Sequence, residues 1–137
     1  MTRDEILTFL RAGRAVFTIT STESGTSFTY RFSRPKAQLD DGPIFAAVLT
    51  GPDNTADYTY MGMYYPARGL VVQTNGSRVS ADATSWKALR WFLSHIGDPR
   101  VAFRHEGRCG RCGRALTVPS SIDSGLGPEC AEKVVAA

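Results

Sequence analysis

All three cysteines of the chain lie near its C-terminal end, in the spacing Cys-x2-Cys-x17-Cys. They are Cys109, Cys112 and Cys130, and His105 precedes the first of them by four residues. Structural zinc sites use four tetrahedral ligands, most often thiolate sulfur and imidazole nitrogen. The spacing therefore predicts a Zn²⁺ site whose ligands are His105, Cys109, Cys112 and Cys130.

The residues around these cysteines favour a tight turn followed by a helix. Gly110 and Gly113 can adopt backbone angles that other residues resist, so the first two cysteines are expected in a compact turn. Pro128 suits the first turn of a helix, which places Cys130 near the start of a helix over 128–135. A turn, a loop and a ligand at a helix start together predict a zinc-ribbon or treble-clef-like module.

Other interpretations of the cysteines stay open. An odd number of cysteines argues against a closed set of disulfides, but a redox Cys-x-x-Cys pair or free thiols would fit the composition. Redox pairs usually follow a strand and open a helix, and the glycines here disfavour a helix. The fourth ligand is also open, because His95, Glu106, water or a partner could replace His105.

Positive charge is concentrated beside the cysteines. The formal net charge is only +3, which is too small to predict nucleic-acid binding by itself. Residues 100–114, however, hold five arginines against the single acid Glu106. Guanidinium groups suit phosphates, so four arginines are candidate nucleic-acid-binding residues: Arg104, Arg108, Arg111 and Arg114. The alternative is that these cations only compensate for the thiolates.

Two helices are expected outside the C-terminal segment. Thr2 and Glu5 have the spacing of a capping box, and the apolar residues after them predict a short helix over 3–12. A longer apolar stripe predicts the main helix over about 83–96, with Asp82 or a neighbouring Ser or Thr as its cap. We expect this helix to cover a sheet, with Trp91 slightly off its main apolar stripe.

The residues between the helices alternate in the manner of strands. Five strands are predicted, at about 16–20, 28–32, 44–49, 57–63 and 70–74. The sequence therefore predicts an α+β fold, in which an antiparallel five-stranded meander is packed by the main helix and the short N-terminal helix. Residues 1–99 are expected to form this domain and residues 100–137 the zinc-binding module.

Shorter segments are predicted from their composition. A polar, proline-bearing loop is expected over 34–43, and its acids Asp40 and Asp41 are expected to be solvated instead of forming an acid/base pair. A brief strand over 100–105 would lead into the cysteines, and residues 116–118 would pair either with that strand or with themselves. Residues 120–124 are expected to be a loop.

Several classes of protein are disfavoured. The chain lacks a run of about 18 apolar residues and a signal-peptide pattern, so we expect a cytoplasmic protein without a membrane span. A cytidine-deaminase signature fails, because His105 and Glu106 are adjacent and no proline directly precedes Cys109. Zinc held by four protein ligands keeps no open position for catalysis, so no enzymatic activity is expected.

The C-terminal pattern resembles a known type of domain. The residues Cys109-Gly-x-Cys-Gly-Arg-x-Leu, with Pro119, Ser121 and Gly125-x-Gly-Pro-x-Cys130 after them, are similar to a small zinc-ribbon-like domain of uncharacterised function. That domain recurs in proteins of bacteriophages and prophages, particularly of actinobacteria. The segment from Leu49 to Gly62 is similar to one that often precedes it. The resemblance implies a phage or prophage origin and a bound metal, and it implies no reaction.

Two functions follow as hypotheses. The first is a non-catalytic accessory protein that binds DNA or RNA through the basic zinc module. Exposed tyrosines would then stack on the bases of single strands, the candidates being Tyr58, Tyr60, Tyr64 and Tyr65. The second is a protein-interaction module that binds and modulates a host or phage enzyme, for which Trp91 is a candidate contact.

Overall fold

The computed structural model describes residues 1–35 and 42–136. The acids Asp40 and Asp41, which are predicted to be solvated, lie outside the described residues. The described residues form six strands and four helices. In chain order these elements are α1 (Arg3–Leu10), β1 (Arg14–Ser21), β2 (Ser27–Ser33), β3 (Ile44–Leu49), β4 (Tyr58–Tyr65), β5 (Leu70–Val72), α2 (Thr84–Ser94), β6 (Val101–His105), α3 (Pro119–Ser124) and α4 (Pro128–Ala136).

The strands form one antiparallel sheet in the order β5-β4-β3-β2-β1-β6. The predicted meander corresponds to β1 through β5, but the predicted count of five is one short. The brief strand β6 adds to the free edge of β1, where Phe17 pairs with His105 and Ser21 with Val101. The segment that leads to the cysteines therefore belongs to the sheet instead of pairing with 116–118.

One face of the sheet carries the core. Side chains alternate along the strands, so Phe17, Tyr30 and Phe32 point to the same side and are fully buried. Helix α2 covers them with its own buried side chains, which are Trp86, Leu89, Phe92 and Leu93. The hydroxyl of Tyr30 donates to the carbonyl of Ser85 at 2.6 Å, which fixes the start of α2 over the sheet.

The two predicted helix caps have different outcomes. The capping box of α1 is confirmed: the amide of Glu5 donates to Oγ1 of Thr2 at 3.2 Å, and the amide of Thr2 donates to Oε1 of Glu5 at 2.9 Å. The predicted cap of α2 is wrong, because Ala83 occupies that position and no side chain caps the helix. Asp82 instead donates its amide to the hydroxyl of Ser80, within the preceding turn.

The opposite face of the sheet is open. Among the described residues of this face only Ala47 is buried, while Phe45 is 42 % exposed. The guanidinium carbon of Arg31 lies 4.3 Å from the centre of the Tyr58 ring. None of the helices in the described parts of the chain is long and apolar enough to cross a membrane.

Candidate metal centre

The first two cysteines lie in a hairpin-like turn, which we call the knuckle and define as residues 107–116. The amide of Cys109 donates to the carbonyl of Arg114 at 2.8 Å, and the amide of Gly113 donates to the carbonyl of Cys109 at 2.9 Å. Gly113 has φ +80°, which explains its glycine. Gly110 has no positive φ, and the reason for its glycine is a close contact described below.

Two short helices position the third cysteine. Helix α4 begins at Pro128, as predicted, and carries Cys130 in its first turn. The prediction of a loop over 120–124 is wrong, because these residues belong to α3. Pro119 in the first turn and the left-handed Gly125 at the end, with φ +76°, bound this short helix.

The fold brings the three cysteines together. The Sγ atoms of Cys109, Cys112 and Cys130 all lie within 4.8 Å of one another, and all three cysteines are free thiols. Cys109 and Cys130 are buried, whereas Cys112 is half-buried. Thiol groups this close, contributed by a turn and a helix, can hold a metal ion.

Backbone amides surround the sulfur of Cys109. The amides of Arg111 and Gly127 each donate to this sulfur at 3.4 Å. Burial alone would raise the pKa of the Cys109 thiol, but the hydrogen bonds from the amides of Cys112, Gly127 and Arg111 outweigh it and lower the pKa to about 7. The thiolate form of Cys109, which is the form that binds metals, is thereby favoured.

The sulfur of Cys130 has a different environment. Burial raises the pKa of the Cys130 thiol, and the neighbouring sulfurs of Cys112 and Cys109 act in the same direction. The guanidinium of Arg111 opposes them, with Nη1 at 3.8 Å from the Cys130 sulfur. At least one arginine of the knuckle therefore compensates for sulfur charge.

His105 is not brought into the cysteine cluster. The amide of Gly107 donates to Nδ1 of His105 at 2.9 Å, so Nε2 carries the ring proton and donates to the carbonyl of Ile122 at 2.5 Å. Both ring nitrogens are thus used to join the end of β6 to α3. Within the described residues, no histidine, aspartate or glutamate joins the three cysteines as a possible ligand, so His95 and Glu106 are also outside the cluster.

The four candidate arginines are all exposed, but their surroundings differ. Arg108 donates from Nη1 to the carbonyl of Gly113 at 3.2 Å and so supports the knuckle. Arg104 pairs with Thr18 across β6 and β1, on the open face of the sheet. Arg111 contacts Cys130 as described above, and Arg114 lies beside the cysteines.

The tyrosines proposed to stack on bases do not share one environment. Tyr64 is 1 % exposed, packs in the core and stacks on Phe32, so it is not available to a ligand. Tyr58 and Tyr60 are half-buried and lie on the open face with Phe45, whose ring meets Tyr60 edge to face at 6.0 Å. Tyr65 is half-buried as well.

Residues near the N-terminus hold the knuckle in place, and sequence reasoning missed them. The amide of Arg14 donates to the carbonyl of Gly110 at 2.6 Å, and its Nη1 donates to the carbonyl of Cys112 at 3.0 Å. Ala12 belongs to a second small core, together with Cys109, Leu126, Cys130 and Val134. No local sequence signal could have found contacts between residues about a hundred positions apart.

A groove opens beside the sulfurs. It has a volume of about 510 Å³, and all three cysteines contribute to its wall. Its charged lining residues are Arg111, Arg114, Glu129 and Lys133. Any metal held by the cysteines would therefore lie next to an open groove whose charged lining is mostly cationic.

Comparison with known proteins gives one match. Residues 99–135 match the model of a family of unknown function, DUF6011. The matched region contains the knuckle, α3 and all of α4 except its last residue, and the family's description names neither an activity nor a ligand. No curated protein and no solved structure matches the chain.

Proposed function

We propose that Cys109, Cys112 and Cys130 hold one Zn²⁺ ion in a zinc-ribbon or treble-clef-like module. The approach of three free sulfurs to within 4.8 Å supports this proposal. Thiolates are soft ligands that favour zinc over hard cations such as Mg²⁺ or Ca²⁺. The ion would join the knuckle to α4 and so stabilise a segment that has only a small apolar core of its own.

We further propose that this module binds nucleic acid without catalysing a reaction. The observation that carries the proposal is the exposure of Arg108, Arg111 and Arg114 in the same short turn as two of the three clustered cysteines. Exposed guanidinium groups on a rigid turn can contact successive phosphates. The resemblance of the motif to phage domains supports a phage or prophage origin and a role in the bacterial cytoplasm.

The folded site differs from the predicted site with four protein ligands. With His105 directed at Ile122, the described residues supply three ligands to the metal instead of four. Three ligands leave a fourth position on zinc, which catalytic sites fill with water or substrate, so the proposal of a non-catalytic role depends on the groove beside the sulfurs, where three of the four charged side chains are cationic. Such a lining suits the binding of anions.

The salt dependence of binding tests this function. Fluorescence anisotropy with single- and double-stranded DNA and RNA probes should show affinity that falls steeply with salt, with a slope of about −0.9 per phosphate contact on duplex DNA. The double variant Arg108→Ala/Arg114→Ala should reduce the magnitude of that slope by about 2 and leave zinc content unchanged. Arg111 is kept because it contacts the Cys130 sulfur.

The matched control is Arg68→Ala/Arg78→Ala, which removes two exposed arginines outside the C-terminal segment. It should bind each probe with the slope of the unchanged protein. Absence of binding to every probe at about 50 mM salt, or equal losses in the two double variants, would contradict the proposal.

Protein binding is the second candidate, and one observation favours it. Val118 and Ile122 are 48 % and 43 % exposed and lie one turn apart at the start of α3, where the amide of Ile122 donates to the carbonyl of Val118. Paired exposed apolar side chains often mark a contact with another protein. A nuclease-resistant, stoichiometric partner that is lost in Val118→Ser/Ile122→Ser, while nucleic-acid binding is absent, would favour this function.

A further inference from the structure

The cysteine cluster supplies three ligands, whereas zinc sites usually have four. We propose that the fourth position of the bound metal faces the groove and is taken by an anionic oxygen donor from outside the chain. This inference rests on the zinc site proposed above. It does not depend on nucleic-acid binding.

Both ring nitrogens of His105 are already occupied by hydrogen bonds. Its Nδ1 accepts from Gly107 and its Nε2 donates to Ile122, so neither nitrogen has a lone pair free for a metal. Turning the ring towards the cysteines would break both bonds and separate β6 from α3. The ring is further held against Phe9, with the two ring centres 5.7 Å apart.

The groove gives a small ligand access to the three sulfurs. The sulfurs of Cys109 and Cys130 belong to buried residues, but Cys112 is half-buried and all three cysteines contribute to the wall of the same groove. A volume of about 510 Å³ is far larger than one water molecule needs. A small ligand can therefore reach the sulfur cluster from solvent without any movement of the backbone.

The net charge of the cluster and of the groove lining favours an anionic ligand. Three thiolates and one Zn²⁺ leave a single negative charge at the cluster. Arg111, Arg114 and Lys133 line the groove against Glu129, so the lining contributes two net positive charges. The site as a whole is one positive charge in excess, which favours an anion over a neutral donor. Phosphate and carboxylate oxygens share this chemistry.

Cobalt substitution tests the proposal on the intact protein. Co²⁺ bound by the cysteines should give the visible bands of a tetrahedral thiolate site, and inorganic phosphate should shift those bands in a saturable way. Arg114→Ala/Lys133→Ala should weaken the phosphate response by about tenfold, as expected for groups near a metal. Arg68→Ala/Arg78→Ala should leave the response unchanged. Bands that do not change at any phosphate concentration would contradict the proposal of an anionic fourth ligand.

His105→Gln provides the second test, because glutamine can keep hydrogen bonds to Gly107 and Ile122. This variant should bind cobalt with unchanged stoichiometry and show the same phosphate response. X-ray absorption of the zinc-loaded, unmutated protein gives a readout that does not depend on folding of a variant. It should show three sulfur ligands and one oxygen, and the scattering pattern of a coordinated imidazole would overturn the inference.

The outcomes separate this inference from the proposed function. If no nucleic-acid probe binds but phosphate shifts the cobalt bands, nucleic-acid binding is contradicted. The proposal of an external ligand at the fourth position is then still supported. Failure of the protein to bind cobalt or zinc would remove the site itself.

Discussion

Phe9 fills the space that a side chain at Gly110 would need. A Cβ added to Gly110 would lie 2.6 Å from Cδ1 of Phe9, and one added to Gly125 would lie 2.5 Å from the same atom. The ring of Phe9 is fully buried and meets Phe103 edge to face. A residue of the N-terminal helix thus joins the sheet, the knuckle and the end of α3.

Phe9→Ala should lower the free energy of unfolding by about 3–5 kcal/mol, the usual cost of emptying a buried phenylalanine site. Because the ring supports both Gly110 and Gly125, amide hydrogen exchange should also accelerate in the knuckle. Phe45→Ala, on the open face, is the control and should cost about 1 kcal/mol or less. Urea unfolding of the metal-loaded proteins measures both, and equal costs would contradict the contact.

Gly125→Ala separates close contact from backbone strain. Gly25 has nearly the same backbone angle, with φ +73° against +76°, but nothing lies within 4 Å of a Cβ added there. Gly25→Ala should therefore cost only the left-handed strain, about 1–2 kcal/mol. Gly125→Ala should cost about 1–3 kcal/mol more, because Phe9 must move. Thermal or urea unfolding decides, and indistinguishable variants would show that Phe9 does not press on Gly125.

The parts of the fold that follow local rules could be predicted from the sequence. The capping box of Thr2 and Glu5 and the alternation in β1 to β4 depend on neighbours in the chain, and these elements lie where the patterns placed them. The loop predicted over 120–124 is instead part of α3, although the signals of this helix are local. Pro119 stands in its first turn and Gly125 at its end.

The candidate site was predicted only in part, for a physical reason. The spacing of the cysteines indicates that their sulfurs can meet, and they do. Sequence distance cannot say where the ring of His105 points, since that is decided by the carbonyl of Ile122, seventeen residues away. The contact of Arg14 with the knuckle spans 98 residues and likewise depends on the complete fold.

Arg111 should affect metal binding more than the other arginines of the knuckle. Its guanidinium lies 3.8 Å from the sulfur of Cys130, so Arg111→Ala removes the cation that opposes thiolate repulsion. Zinc affinity, measured by competition with a chromophoric chelator, should fall by about tenfold. Arg114→Ala removes an exposed neighbouring arginine, and its zinc affinity should stay close to that of the unchanged protein. Equal affinities of the two variants would refute a special role for Arg111.

Tyr64 should make the protein less stable in alkali. Burial raises the pKa of Tyr64 from its ordinary value of 10.0 to about 12, with a small opposing effect of Arg11. The unfolded chain therefore loses this proton first, and the free energy of unfolding should fall as pH rises from about 10 to 12, by up to about 2 kcal/mol. Tyr64→Phe should remove this part of the decline, whereas the control Tyr65→Phe should retain it. Identical pH profiles for both variants would contradict the assignment.

We propose above that Cys109, Cys112 and Cys130 bind one metal ion. Native mass spectrometry of the protein purified without chelator, combined with elemental analysis, measures this directly. The account predicts one zinc per chain, lost in Cys112→Ser and retained in His105→Gln. Metal-free protein with reduced thiols, after purification in zinc-containing buffer, would contradict it.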